Sequence, residues 1–477
     1  MHRAGVPLRS GRAATMVLIT AVGWTLGPPP GGPELCSRPR DWRIQMGTRR
    51  SRFGTLLALG VSLVVAACGG GGGSAVPTQT GPLSLGVIAP FTGPAAQFGK
   101  LLSAPCVAAT DLINKAGGVM GHQIGCVSID DTGDAADAVP NVSGAIATTS
   151  NFDMAIGLES NTAATTVPLV EAAKIPFFTT NGLTQFNKNT LQYYYRMTPG
   201  DDANGAAFAD WAVKQGFKNV AIVFQNNIGS EGNLPGLASA MPKLGGSIAI
   251  QLTIPADAAS YSVEVARVIA KKPDALIWSA DPQTTATFLS NYKQLNNGVL
   301  PAMVTATDSL TPDFFKAVTK VVGINYVTSN IWLVGSYFDQ TTPAFNTYKA
   351  ALLADTKTHD IAPVLSTVGP PAGAYDGINI MALAMIMAKT TVGSVYNADI
   401  LKVVQPSAGA VVVGNYADGM NALAAGKTIQ YVGVLGQPAF DASHNSGGQF
   451  SATKFNADGS ATLVGTMPGA EVLKLLG

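Results

Sequence analysis

A chain of 477 residues with 47% apolar and 12% charged side chains has material for two to four domains and is too apolar to stay disordered. Its formal charge of +1 hides an asymmetry: residues 1–67 hold nine arginines, no lysine and two acids, leaving 21 basic and 27 acidic residues, a net of −6, for the rest. A mildly acidic body without a basic stripe speaks against nucleic-acid binding.

The first predicted element is an address. The apolar run Gly54–Ala67 is too short to span a bilayer comfortably and suits the core of a signal peptide, with Arg49, Arg50 and Arg52 as its positive flank. Met46 stands just upstream, so residues 46–67 read as the signal peptide and 1–45 as a non-structural or mis-called extension. Val65-Ala66-Ala67-Cys68 resembles a bacterial lipoprotein cleavage box, with Cys68 as the acylated residue; a signal peptide with a chance cysteine is the alternative. The glycines after it make residues 68–82 a tether, coiled over roughly 20 Å. Two or more acyl chains would hold such a protein at an extracytoplasmic membrane surface, facing the periplasm or outside the cell. Cys106 and Cys126 then remain as a pair in an exported chain and are expected to form a disulfide, two buried thiols being the other possibility. The four histidines are scattered, so no metal centre is expected.

Downstream, short apolar strands alternate with helical patterns. Leu83–Ala89 reads as a buried strand, and a helix with Phe98, Leu101, Leu102, Val107, Leu112 and Ile113 near one face stops at Gly117-Gly118. Further strands are expected at Cys126–Ile129, Met154–Gly157 and Pro176–Thr179, with the helix TTVPLVEAAK between the last two. A second set begins after TPGDDANG: strands NVAIVF and SIAIQLTI, helix SYSVEVARVIAKK, strand ALIWSA, helix TATFLSNYKQL and strand AMVTAT. Such alternation predicts an α/β protein of two doubly wound parallel-sheet lobes. Tyr375–Lys389 is apolar nearly all round but short for a span, so it reads as a buried helix.

Ligands of open α/β sheets bind beyond the carboxyl ends of the strands. The residues just past those ends are Thr92-Gly93-Pro94, Asp130-Asp131, Ser160-Asn161-Thr162 and Thr180-Asn181-Gly182 in the first set, and Gln225-Asn226-Asn227, Asp281 and Asp308 in the second. Ser160–Thr162 lead into a helix whose free amides could hold a carboxylate, or one of them simply caps that helix. Asp134 reads as a residue near a helix cap. Catalytic signatures fail: AAGKT at Ala424–Thr428 has Asn421 where a phosphate loop needs its first glycine, and there is no Gly-x-Ser-x-Gly elbow or zinc motif. DDTGDAAD lacks calcium-loop spacing. These residues point to binding and not to an enzyme.

LGVIAPFTGPAAQFGK and then ATDLINKAGGVMGHQI resemble the opening of the leucine/isoleucine/valine-binding family of type I periplasmic binding proteins, which serve ABC importers. The likeness runs on through VEAAKIPFF, YYYRMTPGDDANG, GFKNVAIVFQNN, the helix at Ala374–Ala388 and YVGVLGQPAFD. It implies two lobes joined by a three-crossover hinge: residues 83–198 and 330–447 in lobe 1, and 199–329 and 448–477 in lobe 2. It also implies that Ser160, Asn161, Thr162 and the Asn181-Gly182-Leu183-Thr184 turn take a ligand carboxylate and that Phe98 walls the pocket; Thr180 is a candidate from its place past a strand end. Asp308 matches the acid that holds the ammonium, and Asp281 a further family position; both aspartates could instead be solvated caps at strand ends, and Asn227 is a candidate from its place past a strand end. An aromatic that often covers the ligand in this family is replaced near Ile228. The expected protein is a monomer without cofactor that passes a small molecule, an amino acid first of all, to ABC permease and ATPase subunits. A ligand-sensing subunit, or a binder of an amide, urea-like or aromatic-acid solute, is the alternative.

Overall fold

In the computed structural model, the described residues are 79–476 except 94, 358, 360, 366 and 367, with nothing said of the side chains at 363 and 364. The expectations for residues 1–45, for the signal peptide at 46–67 and for Cys68 lie outside them. The tether expected to run free to Pro82 is already docked at Gln79. Thr391 Oγ1 donates to Gln79 Oε1 (2.9 Å), Gln79 Nε2 donates to the Asp153 carboxylate, and Asn151 Nδ2 donates to the carbonyls of Thr80 and Pro82 (2.9 Å each).

The first passage of the chain runs β1 (Leu83–Ala89), α1 (Gln97–Lys115), β2 (Ile124–Asp130), α2 (Ala135–Thr148), β3 (Phe152–Gly157), α3 (Ser160–Ala172), β4 (Phe177–Thr179) and β5 (Tyr194–Arg196). These five strands form one sheet in the order β2-β1-β3-β4-β5, parallel throughout. Side chains alternate across its faces: Met154 and Ile156 enter the core beneath α1, while Ala155 enters the opposite core under α3.

The second passage runs α4 (Asp201–Lys214), β6 (Asn219–Gln225), α5 (Ile228–Glu231), α6 (Leu234–Lys243), β7 (Ser247–Ile254), α7 (Ser262–Lys271), β8 (Ala275–Ser279), α8 (Pro282–Leu295), β9 (Ala302–Ala306), α9 (Pro312–Val322), α10 (Ile324–Asn330) and β10 (Ile331–Ser336). Then come α11 (Pro343–Ala354), α12 (Ala362–Leu365), α13 (Gly369–Ala388), α14 (Gly393–Val404), β11 (Val411–Val413), α15 (Tyr416–Ala424), β12 (Ile429–Tyr431), β13 (Phe450–Phe455), β14 (Ala461–Met467) and α16 (Gly469–Lys474).

The second sheet has the order β14-β13-β10-β9-β8-β6-β7. Its β6 is doubly covered: Val220, Ile222 and Phe224 face the core under α4 and α6, and Ala221 and Val223 face the other. Two expectations are corrected here. β10 belongs to this sheet, so the chain returns to lobe 1 after Ser336 and not at Asn330. The sheet is also not wholly parallel, because β13 pairs antiparallel with β10 and β14 with β13. The signal for that hairpin is Asp458-Gly459 between two strand patterns, with Gly459 at φ +84°.

The three crossovers lie together. Arg196 bridges to Asn445, and the Tyr337 amide donates to the Gln449 carbonyl (2.8 Å). Helix α13 spans the interior of lobe 1, burying sixteen of its twenty residues. Its Asp376 accepts from the amides of Val434 and Leu435 and from the Tyr431 hydroxyl (2.9 Å each), which fixes the segment after β12. Among the described residues no single helix is long and apolar enough to cross a membrane.

Candidate functional site

A cavity of about 430 Å³ opens where the carboxyl ends of the strands in both sheets face one another. That is the expected place for a ligand in open α/β sheets, and the volume suits a small organic molecule. Lobe 1 contributes the turns after β1 to β4, and lobe 2 those after β6, β8 and β9.

Of the residues expected from sequence, Phe98, Ser160, Asn161, Thr180, Asn227, Asp281 and Asp308 line the cavity, while Thr162, Asn181, Gly182 and Thr184 do not. The reason is local geometry. Each step along a helix turns the side chain by about 100°, so when Ser160 and Asn161 face the cleft, Thr162 turns inward and donates to Asp131 Oδ2 (2.8 Å). Asn181 is fully buried, its Nδ2 donating to Thr179 Oγ1 (2.6 Å) and its Oδ1 accepting from the Leu183 amide (3.2 Å). The Gly182 amide donates to Ser160 Oγ (3.0 Å), and Thr184 sits exposed on a 3₁₀ turn at Thr184–Phe186. Ile228 is 48% exposed and is not among the lining residues.

Asp281 and Asn227 line the cavity while serving as caps. Asp281 Oδ1 accepts from the Thr284 amide (2.8 Å) and its Oδ2 from the Thr284 hydroxyl (2.6 Å), and Asn227 Oδ1 accepts from the Ser230 amide (2.8 Å). Asp308 differs: among the described residues its carboxylate makes no hydrogen bond or ion pair. It reaches cleft solvent, but the crowding of protein around it raises its pKa to about 6.

Two acids not picked out from sequence dominate the electrostatics. Glu159 is the N-cap of α3, and one of its carboxylate oxygens accepts from the Asn161 amide (2.9 Å). Burial, reinforced by Asp131, Asp201 and Asp308, raises its pKa to about 8 against the lowering effect of that bond. Asp201 opens α4, and Ser160 Oγ donates to its Oδ2 (3.3 Å). Burial raises its pKa to about 7, with Asp308 and Asp202 adding repulsion while Ser160 and Arg196 partly offset it. The signals were present: Glu159 adjoins Ser160, and Asp201 lies in TPGDDANG, which reads as a crossover and not as a site.

Ser160 and Asn161 make contacts between the lobes: Ser160 Oγ donates to Asp201 Oδ2, and the Gly229 amide donates to Asn161 Oδ1 (3.0 Å). Nearer the crossover, the Asp201 amide donates to the Gly182 carbonyl (2.6 Å) and Asn187 Nδ2 to the Asp202 carboxylate. Glycines make room for the contact of Ser160 with Asp201, because a Cβ on Gly182 would fall 1.9 Å from Asp201 Oδ1 and one on Gly232 would fall 2.6 Å from Oδ2. Among the described residues no three His, Cys, Asp or Glu side chains are grouped so as to hold a metal ion.

A family model described as periplasmic binding protein matches residues 82–455. Among solved structures, the branched-chain amino acid transporter substrate-binding protein LivJ of Streptococcus pneumoniae, in complex with isoleucine, is 19% identical with a TM-score of 0.64; the match covers 81% of this chain and 99% of that one. The leucine-binding protein LivK of Thermotoga maritima is 15% identical at TM-score 0.65, covering 82% and 99%. A solute-binding protein of an R. palustris ABC transporter, in complex with 4-hydroxybenzoate, is 16% identical at TM-score 0.62, covering 82% and 100%. No curated protein matches the sequence.

Proposed function

The chain belongs to the periplasmic binding protein family, whose members are solute-binding proteins, and from that premise we propose that it captures a small organic solute between its lobes and presents it to an ABC permease. The supporting observation is the cavity of about 430 Å³ at the strand ends of both sheets, crossed by hydrogen bonds from the Gly229 amide to Asn161 and from Ser160 to Asp201. A solute touching both lobes binds the closed arrangement better than the open one, and that difference in affinity drives closure. Lipid anchoring at Cys68 and export by the segment 46–67 belong to the same reading, as does a monomeric state. Amino acids and aromatic acids, carried by the structural relatives, are the first solutes to test.

Mass action supplies the assay: a solute at a thousand times its dissociation constant adds about 4 kcal/mol to stability. A thermal-shift screen of the purified protein is expected to find at least one stabilising solute. Ala280 lines the cavity, so Ala280→Trp is expected to abolish that shift while the far-ultraviolet circular dichroism stays unchanged. A shift that survives Ala280→Trp, or a screen in which no solute binds, overturns the reading.

A further inference from the structure

We propose that the cleft is built for an organic cation without a carboxylate, such as an amine or amidine with a compact apolar body, and not for a free amino acid or an aromatic acid. This rests on the reading of the cavity as the solute site.

Charge balance is the first support. Five lining residues are acidic (Asp134, Glu159, Asp201, Asp281 and Asp308), and among the described residues no Lys, Arg or His lines the cavity. A carboxylate entering it meets repulsion with no cationic partner. The second support is the N-terminus of α3, the natural place for an anion. Glu159 already puts its own carboxylate there, on the Asn161 amide, and the Ser160 hydroxyl is turned to Asp201.

The third support is independent of charge. Asn233 lines the cavity, is 7% exposed, and donates through Nδ2 to the carbonyls of Gly229 and Ser230 (3.1 Å each). Those bonds fix which amide atom is which, and the one left over, Oδ1, has no partner. Glu159 Oε1 and Asn204 Oδ1, also on lining residues, are likewise buried without partners. Of these, the Asn233 oxygen is an acceptor fixed by its own Nδ2 bonds, and an acceptor is satisfied by a donor-rich ligand. The acids are not grouped for a metal ion among the described residues, while Phe98, Leu101 and Phe314 supply apolar walls, so an extended organic cation fits better than a bare ion.

Linkage gives a second signature. Burial and mutual repulsion hold protons on Glu159 and Asp201, whose charged neighbours are Asp131, Asp202, Asp308 and Arg196. A bound cation favours the ionised carboxylates, so it displaces protons and its affinity rises with pH; a bound carboxylate does the opposite.

The test is titration calorimetry of the purified protein with a matched set: leucine, 3-methylbutylamine (leucine without its carboxylate), 4-methylpentanoate (leucine without its amine), benzamidine, 1,4-diaminobutane and 4-hydroxybenzoate. At least one of the three carboxylate-free cations is expected to bind tenfold or more tighter than leucine, with affinity rising from pH 5.5 to 8.5 and proton release visible across buffers of different ionisation enthalpy. Asp308→Asn, at a carboxylate open to the cleft, and Glu159→Gln are each expected to weaken it tenfold or more. Tighter binding of leucine, 4-methylpentanoate or 4-hydroxybenzoate, or a cation affinity that falls with pH, overturns the cation assignment. If Ala280→Trp abolishes that binding, the solute-site reading survives the failure. If no member of the set binds, both fall.

Discussion

Glu159 sits at the start of α3 with one oxygen bonded to the Asn161 amide and the other without a partner, and burial holds its pKa near 8. An unfolded glutamate titrates near 4.3, so between those values the folded protein keeps a proton that the unfolded chain releases. Stability from this group is therefore complete below about pH 4.3 and is lost as pH rises through 8. Asp201, raised to about 7, acts with the same sign. The protein without added solute is expected to melt several degrees higher at pH 5.5 than at pH 8.5, and Glu159→Gln is expected to flatten part of that slope in a calorimetric scan. A melting temperature that climbs over this range contradicts the assignment. Strand-end reading reached Asp308 and Asp281 because it asks only which residues come after an apolar run. It could not say which of three consecutive residues faces the cleft, so it included Thr162, and it overlooked Glu159 one position earlier. Nor does sequence say that Asn181 folds back on Thr179.

Among elements, α1 and β2 carry a feature that was readable from composition alone. Cys106 and Cys126 are joined, with Cα atoms 6.2 Å apart, tying the buried face of the helix to the edge strand of the first sheet. Closing a loop of this length is worth about 3 kcal/mol in the chain-entropy model. Reduction, or Cys126→Ser, is expected to lower the melting temperature of this lobe by roughly 5 °C or more; equal melting with and without reductant shows that the bond is not formed. The buried strands were legible because parallel strands covered on both faces are nearly continuous apolar runs. The hairpin β13–β14 was not, since neither FSATKF nor ATLVGTM is a continuous apolar run, although β13 is buried. β10 went to the wrong lobe for another reason: an apolar run does not say which sheet it joins, and here it pairs with β9 on one side and with the distant β13 on the other.

At the scale of the whole molecule, one hydrogen bond, from the Gly229 amide to Asn161 Oδ1, helps hold the lobes in contact. Such a bond contributes about 1 kcal/mol net, which is roughly a fivefold bias between arrangements. Asn161→Ala keeps the backbone amide that Glu159 uses and removes only this acceptor. It is expected to raise the radius of gyration in solution scattering without solute and to weaken solute binding by up to about fivefold. An unchanged scattering curve with unchanged affinity discounts the contact. Two lobes were legible from two rounds of strand–helix alternation. The cross-lobe contacts were not, because they join residues that no local pattern relates.

The pairing of β13 with β10 has a consequence for how the molecule is made. Phe450, Ala452, Met467 and Val472 complete the core under α4, although the chain left that core at Ser336 and built much of the other lobe in between. A polypeptide emerging N-terminus first thus cannot finish its second half until residues 450–472 arrive. Until then β10 presents an unpaired edge and α4 an uncovered apolar face, surfaces that invite aggregation. Truncations after about residue 449 are therefore a hazard during biosynthesis even though they spare every group that lines the cleft.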